Sequence, residues 1–376
     1  MSWFGAKDWS ALGSELGLRP YTQTAGYAQG MGFRQLRRTF GAPATGEPSF
    51  SHRLYGRWKG VEVIVLTYDV GSGSSQTTYT GCLARIEPPL FLGLCLKAKP
   101  FLHGLFGGES LSLGDAQLDK ELVVEGFDPV KVRDFFALGD PSTQVLLGAI
   151  RNAAPNGLMV TDSVADLSTQ GTLTSAWTIA PKLDQVMWIA RALSARRADI
   201  SWTPAERAQR AEWQRFADTS GFAFDPSLMK LSGQVAGSSI EVALETEPGR
   251  VRTSVSVRFP TPVSFGFAVR RSDMPSFLQG LFSQDIRVGH PRFDALYIVT
   301  GAPEEAIRAL LRRPPIPDIL AELGAVSSEV QMHHEGLFFR IDGAFPTADQ
   351  VGGLVERGRL ASAALFGEVA SLGPYR

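Results

Sequence analysis

Cysteine is nearly absent: Cys82 and Cys95 are the two in 376 residues. That excludes a disulfide framework and leaves two buried thiols in a reducing compartment as the expectation. Histidine is also scarce, with His52, His103, His290, His333 and His334. No pair has the i, i+4 spacing of a helical metal site and no cysteine lies beside one, so neither a metal nor a cofactor is expected. Neither sign of charge is in surplus. Lys and Arg number 37 against 38 Asp and Glu, and residues 1–203 hold 19 basic and 18 acidic side chains. A nucleic-acid binder draws its non-specific affinity from a basic excess, so nucleic acid is not an expected partner. No apolar run reaches the ~18 residues that a membrane span needs. The N-terminus lacks a basic stretch followed by an apolar one, so no secretory signal is expected and a cytoplasmic location is. Arg far outnumbers Lys, and Ala, Gly and Pro are abundant, which suggests a GC-rich bacterial genome.

What is present is an internal repeat. Trp9, Leu12, Gly17 and Leu18 match Trp213, Phe216, Gly221 and Phe222 at a constant spacing of 204 residues. Leu54, Gly56 and Gly60 match Leu231, Gly233 and Gly237 at 177. Gly114, Leu118, Asp119 and Gly126 match Gly289, Phe293, Asp294 and Gly301 at 175, and Asp184-Gln185-Val186 matches Asp349-Gln350-Val351 at 165. The matches keep their order while the spacing only falls. A period this long indicates two tandem domains rather than a solenoid. The expected domains are 1–203 and 204–376, with an insertion at about 22–50 in the first.

Each copy reads as a helix, a set of strands, and more helices. In 251–259, Val251, Thr253, Val255, Val257 and Phe259 alternate with Arg252, Ser254, Ser256 and Arg258. Period two predicts a strand with one dry and one wet face. Strands are also expected at 240–244 and 263–269, and in the first copy at 61–68, 78–86 and 90–96. A short strand follows at 121–125 or 295–299. Asp128 with Pro129, and Pro303, mark helix starts. Strand pairs are expected at 158–162 and 173–179, and at 330–333 and 337–341, each followed by a closing helix. The fold class is α+β: a tandem duplication of one two-layer module, each an antiparallel meander sheet with packed helices.

Chemistry is harder to find. Asp119 and Asp294 occupy the same place in both copies, which suits a shared role in fixing a turn. Asp115 faces His290 at the neighbouring position. Gly71-Ser72-Gly73-Ser74-Ser75 lacks the Lys and the helix of a phosphate-binding loop and reads as a hairpin loop. No Ser/His/Asp or Cys/His order is defined, so no catalytic residue and no enzymatic activity are expected. The copy-specific parts are the better lead. The insertion carries Phe33, Phe40, Arg34, Arg37 and Arg38, and the N-terminus carries Trp3 and Phe4. These are the expected partner-binding residues. The function expected is a non-enzymatic interaction or scaffold protein with a protein partner or self-association. The alternative is a small-molecule or lipid binder with a pocket between sheet and helices or between the modules.

Overall fold

Trp9 begins a short amphipathic helix, α1 (Trp9–Leu16), whose Leu12 and Leu16 are buried. Gly17 ends it at φ +66°, in the left-handed region that glycine adopts without a Cβ penalty. The computed structural model describes residues 9–20, 50–70, 76–99, 110–137, 139–247, 249–271, 286–345 and 347–366. The chain forms two units, Met1–Ser201 with Thr246–Gly249, and Trp202–Glu245 with Arg250–Arg376.

In the first unit, α1 leads through β1 (Arg19–Pro20) to β2 (Phe50–Trp58), β3 (Val61–Val70), β4 (Thr77–Arg85) and β5 (Cys95–Ala98). Then come α2 (Ala116–Glu121), β6 (Leu122–Glu125), α3 (Pro129–Phe135), α4 (Pro141–Ala153), β7 (Leu158–Thr161), β8 (Val164–Gln170) and α5 (Ala176–Ala195). Helices α2, α3 and α4 start at Asp115, Asp128 and Asp140, whose carboxylates accept the first free backbone N–H groups. The strand order is β1-β2-β3-β4-β8-β7-β5-β6. One face of the sheet, including Val63, Val65, Cys82, Ala84 and Leu167, is buried in a single apolar core with Ile179, Leu183, Val186 and Ala190 of α5.

The second unit repeats this plan. Helix α6 (Pro204–Ser220) begins with a capping box between Thr203 and Glu206 and ends at Gly221, φ +75°. It leads to β9 (Ala223–Asp225), β10 (Lys230–Val235), β11 (Ser238–Glu247), β12 (Arg250–Arg258) and β13 (Gly266–Arg271). Helix α7 (Pro291–Leu296), β14 (Tyr297–Ala302), α8 (Glu304–Leu311), α9 (Ile316–Val326), β15 (Glu329–His333), β16 (Gly336–Asp342) and α10 (Ala348–Phe366) complete it. Its strand order is β9-β10-β11-β12-β16-β15-β13-β14, strand for strand that of the first unit. The chain is α+β with two eight-stranded antiparallel sheets.

Three local expectations differ from the structure. The last strand expected in each meander, at 90–96 and 263–269, does not continue it. Residues 90–96 are strand only from Cys95, and β5 pairs with β6 and β7; likewise β13 pairs with β14 and β15. The linking segment crosses the end of the neighbouring hairpin instead. Leu90 N–H donates to the Asp162 carbonyl at 3.0 Å, and Val263 N–H donates to that of His334 at 2.7 Å. The segment 173–179 is not a strand: β8 ends at Gln170 and α5 begins at Ala176. The face carrying Arg252 and Ser254 is not wet, since each is 2% exposed.

The matched glycines have one physical reason. Leu18 and Phe222, just beyond the first helix of each unit, pack on the strand that follows. A Cβ on Gly56 would lie 2.9 Å from Leu18 Cδ2, and one on Gly233 would lie 2.7 Å from the Phe222 ring. Phe222 is itself held against Phe216, with ring centroids 5.6 Å apart. Substituting Gly233→Ala is therefore expected to destabilise the protein by roughly 1–3 kcal/mol through overpacking. Gly353→Ala, on an open stretch of α10 with no atom within 4 Å, is expected to stabilise it by roughly 0.5–1 kcal/mol. Denaturant titration of both variants measures this, and two shifts of the same sign would refute the contact's role.

Candidate functional site

Most polar residues that the sequence offers as candidate chemistry are engaged by backbone. Asp119 accepts the Leu113 N–H at 2.8 Å and the Ser112 hydroxyl at 2.5 Å. Asp294 accepts N–H groups from Val288 at 2.9 Å and Gly289 at 2.8 Å. Asp115 and His290 differ in chemistry but do the same thing. Each caps a helix, His290 through Nδ1, which accepts the Phe293 N–H at 3.2 Å. His290 Nε2 lies 3.2 Å from Asp318. His333 and His334 stand side by side, and His333 Nδ1 accepts the Glu335 N–H at 3.1 Å. Among the described residues no group of three or more His, Cys, Asp and Glu could hold a metal. Cys82 and Cys95 are free and buried, and burial pushes their thiols up to about 12 and about 11. Among the described residues no helix is long and apolar enough to cross a membrane. Trp3, Phe4, Phe33, Arg34, Arg37, Arg38 and Phe40 and the loop 71–75 lie outside the described residues.

The face of each sheet turned away from the helices carries a buried polar cluster that the alternation pattern did not reveal. In the first unit the Tyr68 hydroxyl donates to Ser168 Oγ at 3.0 Å, and Ser168 donates to the Asp166 carboxyl at 3.1 Å. The three meet beside Gly81 of the intervening strand, where a Cβ would sit 3.2 Å from Ser168 Oγ and 3.4 Å from Asp166 Oδ1. Tyr79 stacks on Tyr68 at 5.6 Å. Asp166 is 1% exposed, and burial pushes its carboxyl up to about 8, with the Ser168 hydrogen bond pulling weakly the other way.

Strand register places the second unit's cluster at the same points. Gly56 pairs with Val63 and Gly233 with Ile240, so Tyr68 and Glu245 stand five residues along equivalent strands. Gly81 pairs with Ser168, and Ser254 with Arg340. A hydroxyl pair in one sheet is thus an ion pair in the other. Arg340, 2% exposed, lies 2.7 Å from Glu245 and 2.8 Å from Glu329. Each cluster draws these partners from its own sheet, which offsets the cost of burying them.

A different feature faces outward. Helix α5 starts eight residues before Asp184, whereas α10 starts one residue before the matching Asp349. The extra two turns carry Trp177, 80% exposed, and the exposed Pro181. Trp188, 41% exposed, stands eleven residues further on. Eleven residues are close to three whole turns, so the two indoles share a line about 16 Å long on the side away from the core. At the same spacing the second unit holds Asp342 and Gly353, neither of them aromatic. Beside this line, Asp184 accepts the Trp58 indole N–H at 2.7 Å and lies 2.6 Å from Lys59 Nζ. The Lys59 ammonium holds the Asp184 carboxyl below its ordinary range. The Arg191 guanidinium donates to the Lys59 carbonyl. The result is an outward aromatic face with fixed charges of both signs. Sequence spacing could have found it, since Trp177 and Trp188 lie opposite the Leu183, Val186, Ala190 stripe.

No protein-family model matches the chain, and no curated protein matches it. Among solved structures it is similar to the mycobacterial trehalose monomycolate transport factor A, TtfA. The identity is 10% over 45% of this chain and 99% of that chain, with a TM-score of 0.26. A likeness that faint carries nothing over to this chain.

Asp166 sets a direction for stability against pH. Its folded carboxyl is raised from an ordinary 3.8 to about 8. Below about pH 4 both states hold the proton and no penalty applies; as pH rises toward 8 the unfolded chain ionises first and stability is lost. Asp166→Asn removes this loss. Urea midpoints measured from about pH 5 to about pH 8 should fall more steeply for the native chain than for the variant. Burial raises Asp162 as well, so the variant keeps some slope. Parallel pH profiles would exclude the role given to Asp166.

Proposed function

We propose that this chain is a non-enzymatic interaction protein and that the outward face of α5 is its docking surface. The observation that carries this reading is Trp177, 80% exposed on two helical turns that the second unit lacks. An exposed indole buries no area within its own chain, and Trp, Tyr and Arg are the residues most enriched at the centres of interfaces. Trp188 and Arg191 continue the surface, and Lys59 and Asp184 give it a polar rim, the usual anatomy of a non-obligate contact. The two sheets supply stiffness: each is packed on one face by helices and locked on the other by its polar cluster. A rigid scaffold presenting a copy-specific helix suits recognition, and the polar residues that could have served catalysis are already bonded to backbone.

The test is capture of a partner from the native source lysate by the tagged full chain, with the partner identified and compared between the native chain and Trp177→Ala/Trp188→Ala. Both side chains point away from the core, so the variant should fold normally by circular dichroism. Losing a tryptophan worth about 2 kcal/mol corresponds to roughly 30-fold weaker binding. A stoichiometric partner lost in the double variant supports the reading. No partner, or a partner held equally well by the variant, overturns it.

A further inference from the structure

We infer that the partner on the outward face of α5 is a second copy of this chain, docked antiparallel about a two-fold axis beside Trp188. The inference rests on the docking reading above and names its occupant. Asp184 lies one turn before Trp188 and Arg191 one turn after it, on the same side of the helix. In an antiparallel contact centred on Trp188, each copy's Asp184, part-exposed beside its own Lys59, faces the other's Arg191, and both pairs form at once in addition to the contacts each makes with Lys59. A two-fold contact must be self-complementary in this way. The same arrangement lays each Trp177 over the far end of the other helix, where Ala195 and Ala198 are small and exposed.

The other route to self-association is narrowed among the described strands. Sheet edges invite pairing between copies when they are long and open. At one edge of each sheet a preceding segment covers the strand: Leu111 N–H donates to Val124 at 2.7 Å and Ile286 N–H to Val299 at 2.9 Å. At the other edge β1 has two residues and β9 three. A net charge of −1 gives two copies little reason to repel.

Area sets the strength. With ~150–250 Å² per aromatic side chain, the two exposed indoles offer roughly 200–300 Å² per copy. For two copies that is roughly 400–600 Å², short of the about 1,000 Å² that a stable specific pair buries. The dimer is therefore a weak, concentration-dependent one.

Sedimentation of the purified full chain over a range of concentrations tests this. The native chain should show a reversible monomer–dimer equilibrium, and Trp188→Ala should be monomeric. Asp184→Arg alone and Arg191→Asp alone place like charges opposite each other and should each weaken the dimer about tenfold. Mixed in equal amounts, the two single variants should form a heterodimer, because both facing pairs are then of opposite sign. If Asp184→Arg misfolds through loss of its Lys59 and Trp58 contacts, Arg191→Asp and Trp188→Ala still decide the matter. A native chain that stays monomeric throughout, or a dimer indifferent to Trp188 and to both charges, overturns the inference. A monomer that still captures another protein through Trp177 and Trp188 refutes the second copy and leaves the docking surface standing. A monomer that captures nothing refutes both.

Discussion

A polar side chain that a β-sheet carries into burial costs free energy unless a hydrogen-bonding or charged partner lies within reach. This constraint shapes both units. Toward the helices most of the buried face is apolar, with Val63, Val65 and Leu167 against α5 in the first unit, and buried hydroxyls there find partners: Thr80 donates to the Gly171 carbonyl and Ser238 bonds Ser362 of α10. On the opposite face polar residues remain, and they bond across strands: Tyr68 to Ser168 to Asp166 in one sheet, Glu245 and Glu329 to Arg340 in the other. The positions are equivalent by register while the chemistry differs. A buried ion pair gives little net stability over a neutral or apolar replacement, but losing one partner is costly. Once either cluster exists, its members can change only together, which is how equivalent positions come to hold unlike sets.

The turns obey the same logic at the backbone. The loop before each short helix needs acceptors for free N–H groups, and Asp119 and Asp294 supply them with nearly the same geometry. One turn earlier, Asp115 and His290 both cap, although one is a carboxylate and the other an imidazole. What is common to the two units is a set of backbone requirements, and any side chain with an acceptor in the right place meets it. Asp162 extends the point. It accepts N–H groups from Leu92, Gly93 and Leu94 and so holds the segment that carries the chain across the hairpin, despite the burial that raises its carboxyl.

The same dependence on near or distant neighbours decides what is legible in the chain. Helix starts at Asp128 and Pro303, the spaced glycines and the strands of the first hairpins depend on neighbours within a few residues, and the sequence shows them. The path of the chain into β5 and β13 depends on Asp162 and His334, about seventy residues away, and local alternation is silent about it. Arg252 and Ser254 alternate with valines just as a solvent-facing set would. Only Asp342, ninety residues away from Arg252 in sequence and 3.0 Å in space, and the rest of the outer face make their burial tolerable. The segment 173–179 misleads for a different reason: its spaced apolar residues fit a strand as well as the first turns of α5, and the helix prevails because Ile179 and Leu183 then face the core together. The outward tryptophans were legible in principle, since helical spacing puts them opposite that stripe, but the insertion expected at about 22–50 is the more conspicuous feature of the sequence.

The asymmetry between the closing helices therefore carries more functional meaning than the symmetry of the sheets. In the second unit α6 runs seventeen residues and covers the start of α10: the Trp213 indole donates to the Phe345 carbonyl at 3.0 Å, and Phe216 packs over Gly352. In the first unit the closing helix is instead lengthened at its start, and the added turns place an indole in water rather than on a neighbour. A scaffold gains nothing in stability from that indole, because an exposed aromatic buries no area. Its presence on a helix that departs from the common plan is accounted for if the missing area is supplied by another molecule, and the opposite charges on either side of Trp188 make an identical one the simplest to accommodate.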